Sequence, residues 1–324
     1  MQEMMRTRAK ALLHSGDVQR VLGWQTGEFV YDVTPAVFET EEELDARFVY
    51  NDFCGSNLSK YLVKESRREG KVLVFLKPCD TYSFNQLIKE HRILRDNIYV
   101  IGVPCQGKTD GEALKALGLK GITGVKDAGD SFTVETLYGE KTVSKQEALP
   151  ERCRNCKSRR HMVYDELLGD EGEVLDSHRF DMVEQIENMS ADERFAFWQG
   201  ELSRCIRCNA CRNVCPACTC EKCVFDNDAS GVAQKAAANS FEESMFHIIR
   251  AFHVAGRCTD CGECSRVCPQ NIPLHLLNRK FIKDINTFYG DYQAGEDTES
   301  RAPLTNYTKG DVEPSIVYHK GGEK

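Results

Sequence analysis

Two short apolar runs mark the first half of the chain, VLVFL at 72–76 and IYVI at 98–101. Both are rich in β-formers and too short for buried helices. Each leads within three residues to a Pro-Cys pair, Pro78-Cys79 or Pro104-Cys105, and then to a stretch of helical spacing, SFNQLIKEH at 83–91 or GEALKALG at 111–118. Strands alternating with helices predict a parallel sheet, with Cys79 and Cys105 beyond the carboxyl ends of their strands, where ligands collect in open α/β sheets. Downstream, SFTVETLYGEKTV at 131–143 alternates in the manner of a hairpin.

The second half reads as helices. SFEESMFHIIRAFHVAG at 240–256 opens with Ser240 and Glu243 in capping-box spacing, carries Phe241, Met245, Ile248, Ile249 and Phe252 at helical intervals, and stops at Gly256. His247 and His253 on this helix read as surface or packing residues. LHLLNRKFIKDINTFYG at 274–290 has Pro273 suited to its first turn and Gly290 at its end. From Asp291 to Lys324 the hydrophobic periodicity fades, which predicts an extended or disordered arm, one that would lie on another subunit if ordered.

The chain has 324 residues and a formal charge of −8, so affinity for nucleic acid through phosphate neutralisation is not expected. Its apolar runs fall far below the roughly 18 residues that a membrane span requires, and MQEMMRTRAKALL lacks the apolar stretch of a secretory signal. A cytoplasmic location is therefore expected. Against this ordinary background stand sixteen cysteines. Without an export signal, and in a chain too long for a disulfide scaffold, they read as reduced, metal-binding thiols.

Their spacing names the metal. CIRCNACRNVCP places Cys205, Cys208, Cys211 and Cys215 in the order C-x2-C-x2-C-x3-C-P, and CTDCGECSRVCP repeats it with Cys258, Cys261, Cys264 and Cys268. Three cysteines three residues apart can reach three corners of one 4Fe-4S cube, while the fourth serves the neighbouring cube. The crossed assignment is Cys205, Cys208, Cys211 and Cys268 for one cluster, and Cys258, Cys261, Cys264 and Cys215 for the other. Zinc sites more often use ligand pairs set well apart. CPACTCEKC adds Cys218, Cys220 and Cys223, candidates for further ligands or for small buried side chains.

In the first half, Cys79 and Cys105 together with Cys153 and Cys156 of CRNC make four thiols, enough for a third 4Fe-4S cluster. Cys54 is a candidate substitute, and buried inert cysteines are the alternative. GVPCQGKT at 102–109 also fits the phosphate-loop pattern. Gly111 falls where the helix of such a loop should run, and the parallel KPCDTY loop lacks the phosphate-binding residues, so nucleotide hydrolysis is a minor alternative. Lys108 is then expected to be a surface or substrate-side charge.

KPCD, IGVPCQG, then CRNC followed by YDELLGD resemble, in that order, the β subunits of deazaflavin-reducing hydrogenases and of related formate dehydrogenases. The resemblance runs from about Phe48 to Asp170 and continues through the ferredoxin region. It implies an α/β domain with FAD and one 4Fe-4S cluster, with Cys79, Cys105, Cys153 and Cys156 at the family's cysteine positions and flavin contacts near Gly55, Ser56 and Asn57. CIRCNACRNVCPACTC is also similar to the iron-sulfur subunits of anaerobic sulfite reductases and sulfhydrogenases.

The organisation expected is thus an α/β domain with a mainly parallel sheet over 1–175, a helix-rich, two-cluster ferredoxin-like (α+β) domain over 176–290, and an arm over 291–324. The function expected is an electron-transfer subunit of an anaerobic redox complex, passing electrons between clusters, a flavin and a catalytic or bifurcating partner subunit. A flavin-free iron-sulfur wire is the principal alternative. No side chain is required as a catalytic acid or base.

Overall fold

The computed structural model describes residues 1–226 and 240–305. Its main sheet has five strands in the order β2-β1-β3-β4-β8: β1 (Arg20–Thr26), β2 (Val33–Phe38), β3 (Val72–Leu76), β4 (Ile98–Gly102) and β8 (Glu166–Leu167). β1 runs antiparallel to β2, whereas the β1–β3, β3–β4 and β4–β8 pairings are parallel. The sheet is therefore mainly parallel, as expected. Every residue of β3 is buried, which is why it reads as an unbroken apolar run instead of an alternating one. Met5, Ala9 and Leu12, one face of the helix Gln2–His14, join β1, β3 and β4 in the main core.

Register fixes the site. Leu76 of β3 lies opposite Gly102 of β4, so the two strands end side by side. Cys79 and Cys105 each follow three residues later, and emerge together. The helix after β3 begins earlier than its apolar periodicity suggests, at Pro78, and runs to Lys89. Pro78 is suited to a first turn, where its missing N–H costs nothing.

A second, antiparallel sheet is formed by β5 (Ile122–Asp127), β6 (Ser131–Thr136) and β7 (Gly139–Ser144). Phe132 and Val134 point from β6 into a small core with Leu114, Ile122 and Leu149. The chain leaves this sheet through a short helix, Glu151–Arg154, which delivers Cys153, and Cys156 follows on the next turn.

Beyond residue 175 the helices are Asp181–Glu187, Ala191–Leu202, Ser240–Val254 and Leu274–Tyr289, with short turns at Ala210–Asn213 and Glu263–Arg266. Leu202, Phe246, Ile272 and Leu274 form their shared core. The long helices at 240–254 and 274–289 match expectation, although the Ser240 side chain lies outside the described residues. The (α+β) character expected here is absent: among the described residues from 176 onward there is no strand. Tight loops around the cysteine motifs leave no extended run for pairing. The arm also departs from expectation. Its described part, 291–305, folds back on its own chain: Tyr292 Oη donates to the Gly256 carbonyl, Lys89 Nζ donates to Ser300 Oγ, and Gly295 lies where a Cβ would stand 1.8 Å from the Tyr82 carbonyl oxygen. Residues 306–324 of the arm lie outside the described residues.

Candidate iron-sulfur centres

The two ferredoxin motifs adopt one backbone shape twice. Arg207 and Asn209 have φ of 55° and 61°, and the equivalent Asp260 and Gly262 have 57° and 69°. These left-handed residues bend the chain around a centre, and each loop then enters a single turn of helix. In both, the backbone N–H two residues after the first cysteine donates to that cysteine's sulfur, Arg207 to Cys205 and Asp260 to Cys258. Asn209 adopts the left-handed conformation without being glycine, but at Gly262 a Cβ would also stand 2.6 Å from Arg152 Cδ, which favours glycine there.

The structure brings the cysteines together in crossed sets. Cys205, Cys208, Cys211 and Cys268 line a single cavity, closed by Phe246, Ile272 and Leu274. Cys215 lies in the field of Cys258, Cys261 and Cys264, each held above the ordinary thiol range first by burial and then, in part, by Cys215. Cys258 and Cys264 are both pushed up to about 12. Cys215 itself is lowered to about 5, first by a hydrogen bond from Cys218, and metal binding would displace the protons of the other three. Among the described residues no three His, Cys, Asp or Glu groups are close enough to share one metal ion. A zinc site would hold its sulfurs about 3.8 Å apart, given a Zn–S distance of about 2.3 Å; the corners of a cube are wider. Four thiols gathered around one centre is the donor chemistry a 4Fe-4S cube requires.

Cys79, Cys105, Cys153 and Cys156, from three separate stretches of backbone, line one further cavity. Burial raises the thiols of Cys79, Cys153 and Cys156, Cys153 to about 11. The wall is strongly basic: Lys77, Lys108, Arg152, Lys157, Arg159 and Arg279 face it, against Asp260 alone among carboxylates. Such a lining stabilises an anionic cube. Cys261 of the second ferredoxin set shares this wall, which makes the two sites neighbours.

Charged side chains missed in the sequence reading tie the sites together. Arg152 Nη1 donates to Glu263 Oε1 at 2.7 Å and to the Cys261 carbonyl at 3.0 Å, and Arg266 Nε closes on Glu263 Oε1 at 2.7 Å. Glu263 is fully buried, and these two guanidinium groups outweigh the burial to hold its carboxyl down at about 2. Lys77 is buried against Asp80 at 2.7 Å and the Trp24 ring at 4.7 Å, and Lys157 donates to the Thr259 carbonyl while burial lowers it to about 8. No local pattern marks these residues, because their burial depends on packing between distant segments. His247, expected at the surface or in packing, is 2% exposed with Nε2 3.3 Å from Cys205 Sγ.

Other expectations need correction. Cys54 is not brought to the third cavity: its sulfur is turned toward the Val49 carbonyl and accepts from the Asn51 N–H, and burial raises it to about 11. Lys108 is buried, not a surface charge, with Nζ 3.0 Å from the Asn51 carbonyl and 4.2 Å from the centre of the Tyr50 ring. The following helix starts at Gly111, so no helix N-terminus stands at Lys108-Thr109 to receive a phosphate. Gly107 is there for another reason: its φ is +112°, and a Cβ would meet Leu149 at 3.0 Å.

At Gly55, Ser56 and Asn57 several polar atoms have protein partners. The Ser56 carbonyl accepts from Lys77 Nζ, the Asn57 N–H donates to Glu263, and Asn57 Nδ2 donates to Ser83 Oγ. Gly55 lines the third cavity. This turn is part of the wall of that cavity. Cys218, Cys220 and Cys223 line a separate, basic cavity beside the second ferredoxin set.

The fold and these cysteine sets define an iron-sulfur protein, an α/β domain joined to a two-cluster module. The 4Fe-4S dicluster domain family matches residues 201–272. Along nearly the whole length, the chain is similar to the F420-dependent formate dehydrogenase subunit beta of Methanocaldococcus jannaschii, 26% identical with 92% of each chain covered. It is also similar to the F420-dependent formate dehydrogenase 1 subunit beta of Methanococcus maripaludis, 24% identical with 91% of each chain covered. The resemblance to formate dehydrogenase β subunits therefore extends beyond the short motifs that first carried it. A chain of the xenon-derivatised F420-reducing NiFe hydrogenase complex from Methanosarcina barkeri overlaps 47% of this chain and 58% of its own length, at 16% identity and a TM-score of 0.39.

Proposed function

We propose that this chain is the electron-transfer subunit of a multi-subunit redox complex in the cytoplasm of an anaerobic cell, with a formate dehydrogenase- or hydrogenase-type partner that carries the substrate chemistry. One observation carries the reading: Cys261 belongs to the second ferredoxin set and also to the wall of the cavity lined by Cys79, Cys105, Cys153 and Cys156. Cys264 in turn lies in the field of Cys211, a member of the first set. Three sites thus form an unbroken series that ends at the exposed Cys208. The clusters would supply one-electron exchange over a wide range of potential.

The chain's own residues hold the cysteines, neutralise charge and exclude water. Arg152, Lys77 and Lys157 supply buried positive charge between the α/β and ferredoxin parts, and Phe246, Ile272 and Leu274 close the first ferredoxin site. Among the described residues no helix is long and apolar enough to cross a membrane. FAD enters the reading through the resemblance, and relatives named for F420-dependent formate oxidation support a deazaflavin or flavin at one end of the route. The hydrogen bonds that tie Ser56 and Asn57 to Lys77, Glu263 and Ser83 favour a second reading, a flavin-free wire.

Anaerobic assay of iron, acid-labile sulfide and flavin tests both. About twelve irons or more per chain, with matching sulfide, are expected from three cubes of four irons. A flavin released on denaturation supports the first reading, and its absence the second. A colourless preparation with no paramagnetic signal after reduction would overturn both.

A further inference from the structure

Cys218, Cys220 and Cys223 do not belong to any of the three sites above, yet they line a common cavity. We propose that they hold a fourth iron-sulfur cube, bound by three thiolates, with its remaining iron facing the cavity beside His253. The inference rests on the reading of the chain as an iron-sulfur carrier.

The loop that bears these cysteines is held from outside by cations. Arg257 Nη2 donates to the Ala217 carbonyl at 2.9 Å, Lys60 Nζ donates to the Cys218 carbonyl, and Arg92 Nη2 donates to the Thr219 carbonyl. Three consecutive carbonyls are thus taken by three charged side chains from separate parts of the chain. A loop that only had to turn could satisfy them with water or its own N–H groups. Arg212 reaches the cavity as well and bonds to the Cys223 sulfur and, at 2.6 Å, to Asp226.

The charge is one-sided. Lys60, Arg212, Arg250 and Arg257 face the cavity against Glu221 and Asp226, an excess of two positive charges before any thiolate is counted. Three thiolates around an iron-sulfur core supply the anion that such a lining suits. Among the described residues no group of three His, Cys, Asp or Glu is arranged to hold a single ion such as zinc. The Cys218 thiol hydrogen-bonds to the Cys215 sulfur, so the new cube would adjoin the second ferredoxin cluster as a branch, while Cys220 is exposed and places it at the surface.

The test uses the full chain, grown on 57Fe and isolated without air. Iron and sulfide analysis, Mössbauer areas and the reduced paramagnetic spectrum are compared for wild type, the Cys220→Ala/Cys223→Ala double variant and Cys105→Ser. The double variant is expected to lose about four irons and four sulfides, with one spectral component, while the other three persist. Equal iron in the double variant and wild type overturns the proposal, as does one zinc per chain in wild type that the double variant lacks. Should the double variant not accumulate, wild type alone decides: about sixteen irons support four cubes, and about twelve refute the fourth. Cys105→Ser keeps the underlying reading separate. If it matches wild type in iron, the third cluster fails, whatever the double variant shows.

Discussion

Replacing His247 with Phe should lower the potential of the first ferredoxin cluster, and by an amount that the structure bounds. His247 is buried, and burial, followed by Arg250 and Arg207, depresses its pKa to about 3, so the ring is neutral at working pH. Nδ1 is buried without a partner among the described residues, whereas Nε2 lies 3.3 Å from Cys205 Sγ. A ligand thiolate can only accept, so the Nε2 tautomer must carry the proton and donate. A net hydrogen bond to a charged group contributes about 1.5–3 kcal/mol. The reduced cube carries one more electron, and if a third of the bond's strength depends on that charge, the donor favours reduction by roughly 0.5–1 kcal/mol. At 59 mV per 1.36 kcal/mol for one electron, His247→Phe should lower the potential by about 20–40 mV. Phe keeps the ring volume against Phe246 and removes the donor. An anaerobic titration followed by electron paramagnetic resonance reads the shift, with iron content as the control. An unchanged or raised potential in a variant that keeps its iron would refute the reasoning.

Crossed ligation predicts that Cys268→Ser perturbs the same signal whose potential moves in His247→Phe, and that Cys215→Ser leaves that signal alone; the two spectra check this directly. Lys108→Ala should retain the third cluster, because the bond from residue 108 to the Cys153 sulfur comes from the backbone N–H, and should cost about 1–2 kcal/mol in thermal unfolding from the lost Tyr50 and Asn51 contacts. Arg152→Ala deprives the buried Glu263 of one of two partners and should destabilise by about 3 kcal/mol, read by chemical denaturation under argon. Glu263 has a carboxyl held at about 2 against an ordinary 4.5, so its contribution is complete above about pH 4.5 and fades as pH falls toward 2. Arg152→Ala should move that loss to higher pH, whereas an unchanged acid midpoint would argue against the pair.

Parts of this arrangement were readable because their cause is local. Three cysteines at intervals of three, followed by a fourth and Pro216 or Pro269, are forced around a cube by the loop that carries them. Cys79 and Cys105 were readable because parallel neighbours in register end together, so two similar strand-Pro-Cys segments bring their thiols to one place. β1 and β2 gave weaker signals, since Gly23 and Pro35 interrupt their patterns; a Cβ at Gly23 would stand 2.8 Å from the Phe48 ring, a tertiary reason invisible in one dimension. Lys77, Arg152 and Lys157 look like surface charges in sequence; Lys77 is buried against Asp80 and Trp24 of the α/β part, and Arg152 and Lys157 are covered by contacts with Glu263, Cys261 and Thr259 of the ferredoxin part. Cys54 shows the converse: it was a candidate substitute ligand, but its sulfur is turned toward its own backbone. The arm misled for a related reason, as Ala294 and Ala302 are too small to signal the burial they achieve.

The claim on which the rest depends is that the cavity of Cys79, Cys105, Cys153 and Cys156 holds a cluster beside the one that Cys261 binds. Magnetic coupling between reduced centres measures that proximity. The fully reduced wild type should show a spectrum broadened by spin–spin interaction that simplifies in Cys105→Ser, with about four irons lost. A spectrum of isolated, non-interacting centres, or one that Cys105→Ser leaves unaltered, would contradict it.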